Sequence, residues 1–267
     1  MSTSPTQSEV QRVVGLDGCR AGWIAISLWL RTNPDVSTTS EVSHVEWSLL
    51  MGQEDLFDLL QNCHQAWIDV PIGLASSTDV DAPKRACDLA VRDALGSKRS
   101  SIFTPPIREV LDFDSYHEAM ERQYQLIGAK CSIQAWNLTP KIREMDALWE
   151  RLEHAQDKIH EAHPEWQFLC WVKGASETPL YSKKTKEGRS QRLSILTHQG
   201  FSQAPKVFSS CITQTNRKDV QPDDVLDAMA IAWGSYQAVN GAGRSFPEGT
   251  PPRDAKGRPM TIHYAKP

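Results

Sequence analysis

Apolar positions change their period several times along the chain, and each change predicts an element. Val13, Val14 and Leu16 form an unbroken apolar run that ends on Asp17-Gly18, which fits a strand buried on both faces and then a glycine turn to Gly22. Trp23 to Leu30 predicts a second strand returning beside the first, and the polar stretch Arg31 to Glu41 predicts a loop. Val45, Trp47 and Leu49 then alternate as in a half-buried third strand. Leu56, Phe57, Leu59 and Leu60 change to helical spacing behind Gln53-Glu54-Asp55, and Ala66-Trp67-Ile68 opens a fourth strand that Asp69-Val70-Pro71 closes. A strand, helix, strand crossover makes that fourth strand parallel to a neighbour.

From residue 79 to about 156 the pattern becomes helical and polar, with helices expected near Lys84 to Leu95, Ser115 to Ile127 and Pro140 to Glu153, the last capped by Thr139. This is read as an insertion. Lys158 to Glu165 predicts a short fifth strand ending in a carboxylate, Glu161, and a proline, Lys186 to Gln199 a basic helix, and Asp223 to Trp233 a last helix behind Pro222. The expected architecture is α/β: a mixed five-stranded sheet, three strands antiparallel and the others parallel, flanked by helices, with a helical insertion between the fourth and fifth strands. Residues 1–11 are expected to be a flexible tail, 12–243 one domain, and 244–267 a partly mobile Gly/Pro-rich segment with a short edge strand at Met260 to Tyr264.

Composition narrows the class. A chain of 267 residues can bury a sizeable core, and a net charge of −4 argues against binding nucleic acid through global charge alone. Six cysteines without a C-x-x-C pair indicate neither a structural zinc site nor a disulfide framework, which points to the cytoplasm. No apolar run approaches the roughly 18 residues of a membrane span, so no membrane partner is expected.

The chemistry lies in the acids. Three expected strands end on Asp17, Asp69 and Glu161, and one helix begins with Asp223, Asp224 and Asp227. Taken singly, each has a structural explanation: Asp-Gly marks hairpins, and helix starts favour acids. Jointly they predict a crevice of carboxylates whose repulsion a divalent cation would relieve, and oxygen-only ligands favour Mg²⁺ or Mn²⁺. Two such ions about 4 Å apart can activate water and stabilise the leaving oxygen in phosphodiester hydrolysis. Lys98, Arg99, Ser100 and Ser101, with Arg20, are candidates for holding a phosphate; Lys130, Lys183, Lys184, Lys186, Arg189 and Arg192 extend the track. His160 and His163 flank Glu161 as candidate acids, bases or orienting groups, and Trp136 and Trp166 are the candidates for base stacking.

The ordered motifs Gly15-Leu16-Asp17-Gly18-Cys19 with Gly22-Trp23, Ile68 to Leu74, Ser100 to Pro106, Glu161 to Glu165 and Asp223 to Ala228 resemble the DUF429 family, predicted nucleases of the ribonuclease H-like superfamily. The last helix also resembles the closing D-x-x-D helix of RuvC-type Holliday junction resolvases, with Asp224 and Asp227 at the matching positions. The resemblance implies a two-metal nuclease site in which Asp17 bridges the ions, Asp69 and Glu161 add ligands, and Asp224 with Asp227 close the site; Asp223 and Glu165 are reserves. The substrate would be DNA or RNA. Two other functions compete: a scaffold that keeps the fold without catalysis, and an actin-like or sugar-kinase-like ATP-binding protein, whose usual Asp-x-Gly-x-Thr/Ser hairpin Asp17-Gly18-Cys19-Arg20-Ala21 does not match.

Overall fold

Strand β1 (Val10–Cys19) is the axis of the main sheet, and its residues from Val13 to Asp17 are all buried. It pairs antiparallel with β2 (Gly22–Thr32) on one side and parallel with β4 (Gln65–Ile68) on the other. β3 (Ser40–Leu50) lies antiparallel to β2, and β5 (Ile159–Glu161) lies parallel to β4. The resulting five-stranded order, β3-β2-β1-β4-β5, is the mixed sheet expected from the sequence and is consistent with an RNase H-like fold. The computed structural model describes residues 10–32, 39–173 and 179–267. Most of the expected N-terminal tail and the centre of the loop after β2 lie outside these residues, while Val10 and Gln11 already belong to β1.

Helix α10 (Pro222–Gln237) lies across one face of the sheet. Gly15 makes this close approach possible: a Cβ there would lie 2.3 Å from both the Ala228 oxygen and the Ala232 nitrogen. Ala228 and Ala232 are themselves buried and small, so helix backbone meets strand backbone. Because backbone cannot step aside as a side-chain end can, Gly15→Ala is expected to cost about 3 kcal/mol, read as a lowered urea midpoint with an unchanged slope.

The other face is covered by α1 (Gln53–Gln61) and α5 (Thr139–Arg151), whose Leu56, Ile142, Met145 and Leu148 are buried with Leu16 and Ile68. Part of the expected insertion therefore supplies a layer of the core. Its other helices are α2 (Ala86–Leu95), α3 (Tyr116–Ile127), α4 (Ile133–Trp136) and α6 (Ala155–Lys158). Thr139, expected as a cap, lies inside the first turn of α5, where it is buried and Leu138 holds the cap position. After β5 come α7 (Pro164–Lys173), α8 (Lys186–His198) and α9 (Ala204–Gln214), of which α7 and α9 are not anticipated from the sequence.

Residues 244–267, expected to be partly mobile, are anchored by specific contacts. β6 (Gly243–Phe246) and β7 (Ile262–Ala265) form a separate two-stranded sheet, so the expected edge strand pairs mainly with its own segment. Asp254 is buried, accepts from the Leu74 amide at 3.1 Å and ion-pairs with Arg108. Buried Arg258 pairs with Asp146 and, at 2.7 Å, with Glu150. A row of apolar positions cannot announce such an anchor, because its contacts are polar and lie far away in sequence. Among the described residues, no helix is long and apolar enough to cross a membrane.

Candidate carboxylate centre

Parallel pairing aligns Leu16 with Ile68, and the Asp69 amide extends the ladder by donating to the Leu16 oxygen at 3.0 Å. Asp17 and Asp69 are therefore neighbours in the next row, on the face that α10 covers, since side chains alternate along a strand. Helix α10 adds Asp224 and Asp227 one turn apart from its N-terminal end. Asp17 is 8% exposed and Asp227 only 1%. Three elements distant in sequence thus bring four carboxylates to one end of the sheet.

Their ionisation records the crowding. Burial, then the charges of Asp69 and Asp227, pushes the Asp17 carboxyl well above the usual carboxylate range. Burial and Asp227 raise Asp69 to about 7. Burial raises Asp224 to about 6, although its carboxylate also accepts from the Gln221 amide at 2.8 Å in a helix-capping contact. Asp227 is raised chiefly by burial, with Lys183 opposing the shift.

Lys183 is the residue that sequence reasoning underrated. Its ammonium ion-pairs with Asp227 and lies 4.0 Å from Asp223. Burial opposes its charge, but Asp227, Asp17 and Asp69 hold it protonated well above the ordinary lysine range. Lys184 pairs with Asp223 at 2.6 Å. The sequence placed both lysines on a surface track, because nothing in Ser182-Lys183-Lys184-Thr185 specifies a distant acid as partner.

Glu161 requires a correction. It is in register with Ile68, one row before Asp69, so it belongs to the opposite face, and Ala162 takes the row of the two aspartates. Both Glu161 oxygens are engaged by Arg85 at 2.6 and 2.8 Å, and one also accepts from the Ile72 amide at 3.0 Å. Glu161 is thus an ion-pair partner of Arg85, although it also lines a cavity beside Asp17 and Asp69. A strand that ends in an acid was visible in the sequence; the one-row offset was not. His160 packs edge-on against His263 with ring centroids 4.4 Å apart, and His163 Nδ1 accepts from the Trp166 amide at 3.2 Å, so neither orients Glu161.

A cavity of about 410 Å³ opens beside the cluster, lined by Asp17 and Asp69 with Arg20, Ser101, Phe103, Lys141 and Lys183 among others. A second of about 370 Å³ adjoins it, with Asp69, Ser101, His163 and Lys183 in common and with Lys98 in its wall. Arg20, Lys98 and Ser101 therefore reach the crevice as expected, whereas Arg99 and Ser100 are exposed outside both walls. Lys98 is paired with Glu165 at 2.8 Å, and Arg192 with the same acid at 2.6 Å, so this reserve acid is already neutralised. Trp166 is buried against Tyr264 and Phe246, which removes it as an open stacking platform, and the half-buried Trp136 packs beside Tyr116 outside both cavity walls. Phe103, 39% exposed at the cavity wall, is the better placed aromatic.

The donor set suits a hard divalent cation: every acid offers oxygen only, the acids repel one another, and Asp227 Oδ1 is buried without a hydrogen-bond partner. Among the described residues, no three His, Cys, Asp or Glu side chains stand close enough to enclose an ion as they are. Ligation therefore requires the carboxylates to rotate inward.

The fold and this centre define an α/β protein with a cluster of buried and half-buried carboxylates at the end of a mixed sheet. The family model of DUF429, described as a protein of unknown function, matches residues 15–251, and the chain belongs to that family. No curated protein and no solved structure matches the chain.

Proposed function

We propose that this protein is a divalent-cation-dependent nuclease that hydrolyses phosphodiester bonds of DNA or RNA. The observation that carries this reading is the meeting of Asp17, Asp69 and Asp227 beside an open cavity, with one buried Asp227 oxygen unpartnered. Mg²⁺ or Mn²⁺, held by Asp17, Asp69, Asp227 and the free oxygen of Asp224, would polarise the phosphate and acidify the attacking water. The chain's own groups supply the rest. Arg20, Lys141 and Ser101 line the cavity where the phosphate oxygens would be held, and Phe103 offers a ring face to a base. A water oxygen bonds to phosphorus as the bond to the leaving sugar oxygen breaks. One water proton passes to a carboxylate of the cluster and the leaving oxygen takes a proton from solvent.

Cys19, Cys63, Cys87, Cys131 and Cys211 carry free thiols among the described residues, and the place of action in this reading is the reducing cytoplasm. The test is cleavage of single-stranded, duplex and branched DNA and RNA in Mn²⁺ or Mg²⁺. Asp17→Asn and Asp227→Asn are each expected to lower the rate at least about 100-fold while the chain stays folded. Cleavage that survives both substitutions would refute the assignment, and absence of both cleavage and Mn²⁺ binding would favour the scaffold reading.

A further inference from the structure

We propose that the cleft between α8, α9 and the start of α10 is a second contact for nucleic acid, holding one unpaired nucleotide of a single-stranded segment outside the carboxylate centre; the kind of ligand rests on the nuclease reading. The cleft has a volume of about 260 Å³ and is lined by Arg189, Phe208, Ile212, Arg217, Val220 and Pro222. Two guanidiniums thus share a small cavity with a phenyl ring and aliphatic side chains, and among the described residues no carboxylate forms part of its wall. Such a wall suits an anionic group joined to a flat apolar one. A nucleotide is that kind of unit, with a phosphate for the arginines and a base for the ring.

Among the described residues neither arginine has an acid partner, although Lys184 nearby pairs with Asp223 and Arg192, on the same helix as Arg189, pairs with Glu165. Both are nevertheless held in place. The half-buried Arg189 donates from Nη1 to the Lys184 oxygen at 2.8 Å. Arg217 is exposed on a closed turn: the Asp219 and Val220 amides donate to the Asn216 oxygen at 2.9 and 3.0 Å, and the Gln221 side-chain amide donates to the Arg217 oxygen.

Backbone joins the cleft to the centre on two sides. The Lys184 oxygen that accepts from Arg189 belongs to the turn carrying Lys183, and Pro222 directly precedes Asp223 and Asp224. The Ala21 amide donates to the Asp219 oxygen at 3.2 Å, which ties the turn bearing Arg217 to the one that brings Arg20 into the cavity beside Asp17. The two sites therefore adjoin, and one strand can occupy both. A base stacked and paired in a duplex offers no free face to the half-buried Phe208 ring, so the segment in the cleft is single-stranded.

The test is fluorescence anisotropy of a labelled single-stranded oligonucleotide with the full chain in chelator, repeated at rising salt. Arg217→Gln is expected to weaken binding about tenfold and to reduce the slope of log affinity against log salt by about 0.7, the counterion release of one phosphate contact. Phe208→Leu is expected to weaken it about tenfold with the slope unchanged. No binding by the natural protein, or unchanged affinity and slope in Arg217→Gln, would overturn the proposal. So would polyglutamate that displaces the oligonucleotide as well as an unlabelled strand does, since the cleft would then be a site for an acidic protein segment. Binding that depends on Arg217 without cleavage in Mn²⁺ would refute the nuclease reading and support the cleft; cleavage with binding indifferent to Arg217 would do the opposite. Were Phe208→Leu not to fold, the exposed Arg217 position still decides.

Discussion

Arg85→Met is expected to lower the melting temperature by about 10 °C or more, the largest effect of any single change away from the carboxylate centre. The Arg85 guanidinium is 2% exposed and bridges two buried acids, pairing with Asp88 at 2.5 Å and with Glu161 at 2.6 Å, while it also donates to the Gly73 oxygen at 2.8 Å. This arrangement joins α2 of the insertion to the end of β5 and to the chain just after β4. Removing the cation leaves two buried carboxylates answered only by the Ile72 amide on Glu161 and the weak Cys87 thiol donor on Asp88, a loss of about 3–5 kcal/mol. Neutralising the acids together with the arginine, as in Arg85→Met with Asp88→Asn and Glu161→Gln, is expected to recover most of that loss. Thermal denaturation of the single and triple variants checks this; a single variant within about 2 °C of the natural protein would show that the network contributes little. Glu161→Gln alone is expected to leave Mn²⁺ binding intact, as befits a residue on the opposite face from Asp69.

Asp69→Asn is expected to do the reverse and stabilise the metal-free protein. Burial and the neighbouring Asp227 raise the Asp69 carboxyl to about 7, far above its value in the unfolded chain, so the fold prefers the neutral acid. The contribution of this group is most favourable below about pH 4, falls as pH rises to about 7, and stays low above that. Asparagine mimics the neutral form at every pH. In a chelator, the variant should therefore melt with the natural protein near pH 4 and about 4–8 °C above it at pH 8, corresponding to about 2 kcal/mol. With Mn²⁺ the order inverts, because only the natural protein gains the free energy of binding. Melting curves across this pH range, with and without Mn²⁺, check both parts; a variant less stable than the natural protein in chelator at pH 8 would mean that Asp69 is ionised and satisfied by its protein partners.

The carboxylate centre could be read in part. Asp17 and Asp69 were legible because an acid at the end of a buried strand contradicts its apolar surroundings, and Asp224 and Asp227 because their three-residue spacing places them on one helix face. Glu161 carried the same local signature and yet belongs to the Arg85 network, because the strand pairing places it in the row of Ile68. Arg85 itself was invisible as a structural cation, since one arginine before a helix resembles any other. Trp166 looked like an exposed platform only because its partners, Phe246 and Tyr264, come from a segment some eighty residues or more further on.

By itself, then, the sequence determined the five strands of the mixed sheet, six of the α-helices and a set of acids at the sheet mouth that included Glu161, because alternation, helical spacing and a charge set against an apolar run are local properties. Only the tertiary structure decided which row each acid occupies, that the last twenty-odd residues are anchored through Asp254 and Arg258, and that Lys183 stands among the carboxylates. These depend on strand register and on polar pairs between distant segments. Neither leaves a period in the sequence, since a one-residue shift of register or a change of ion-pair partner alters the site without altering any local pattern.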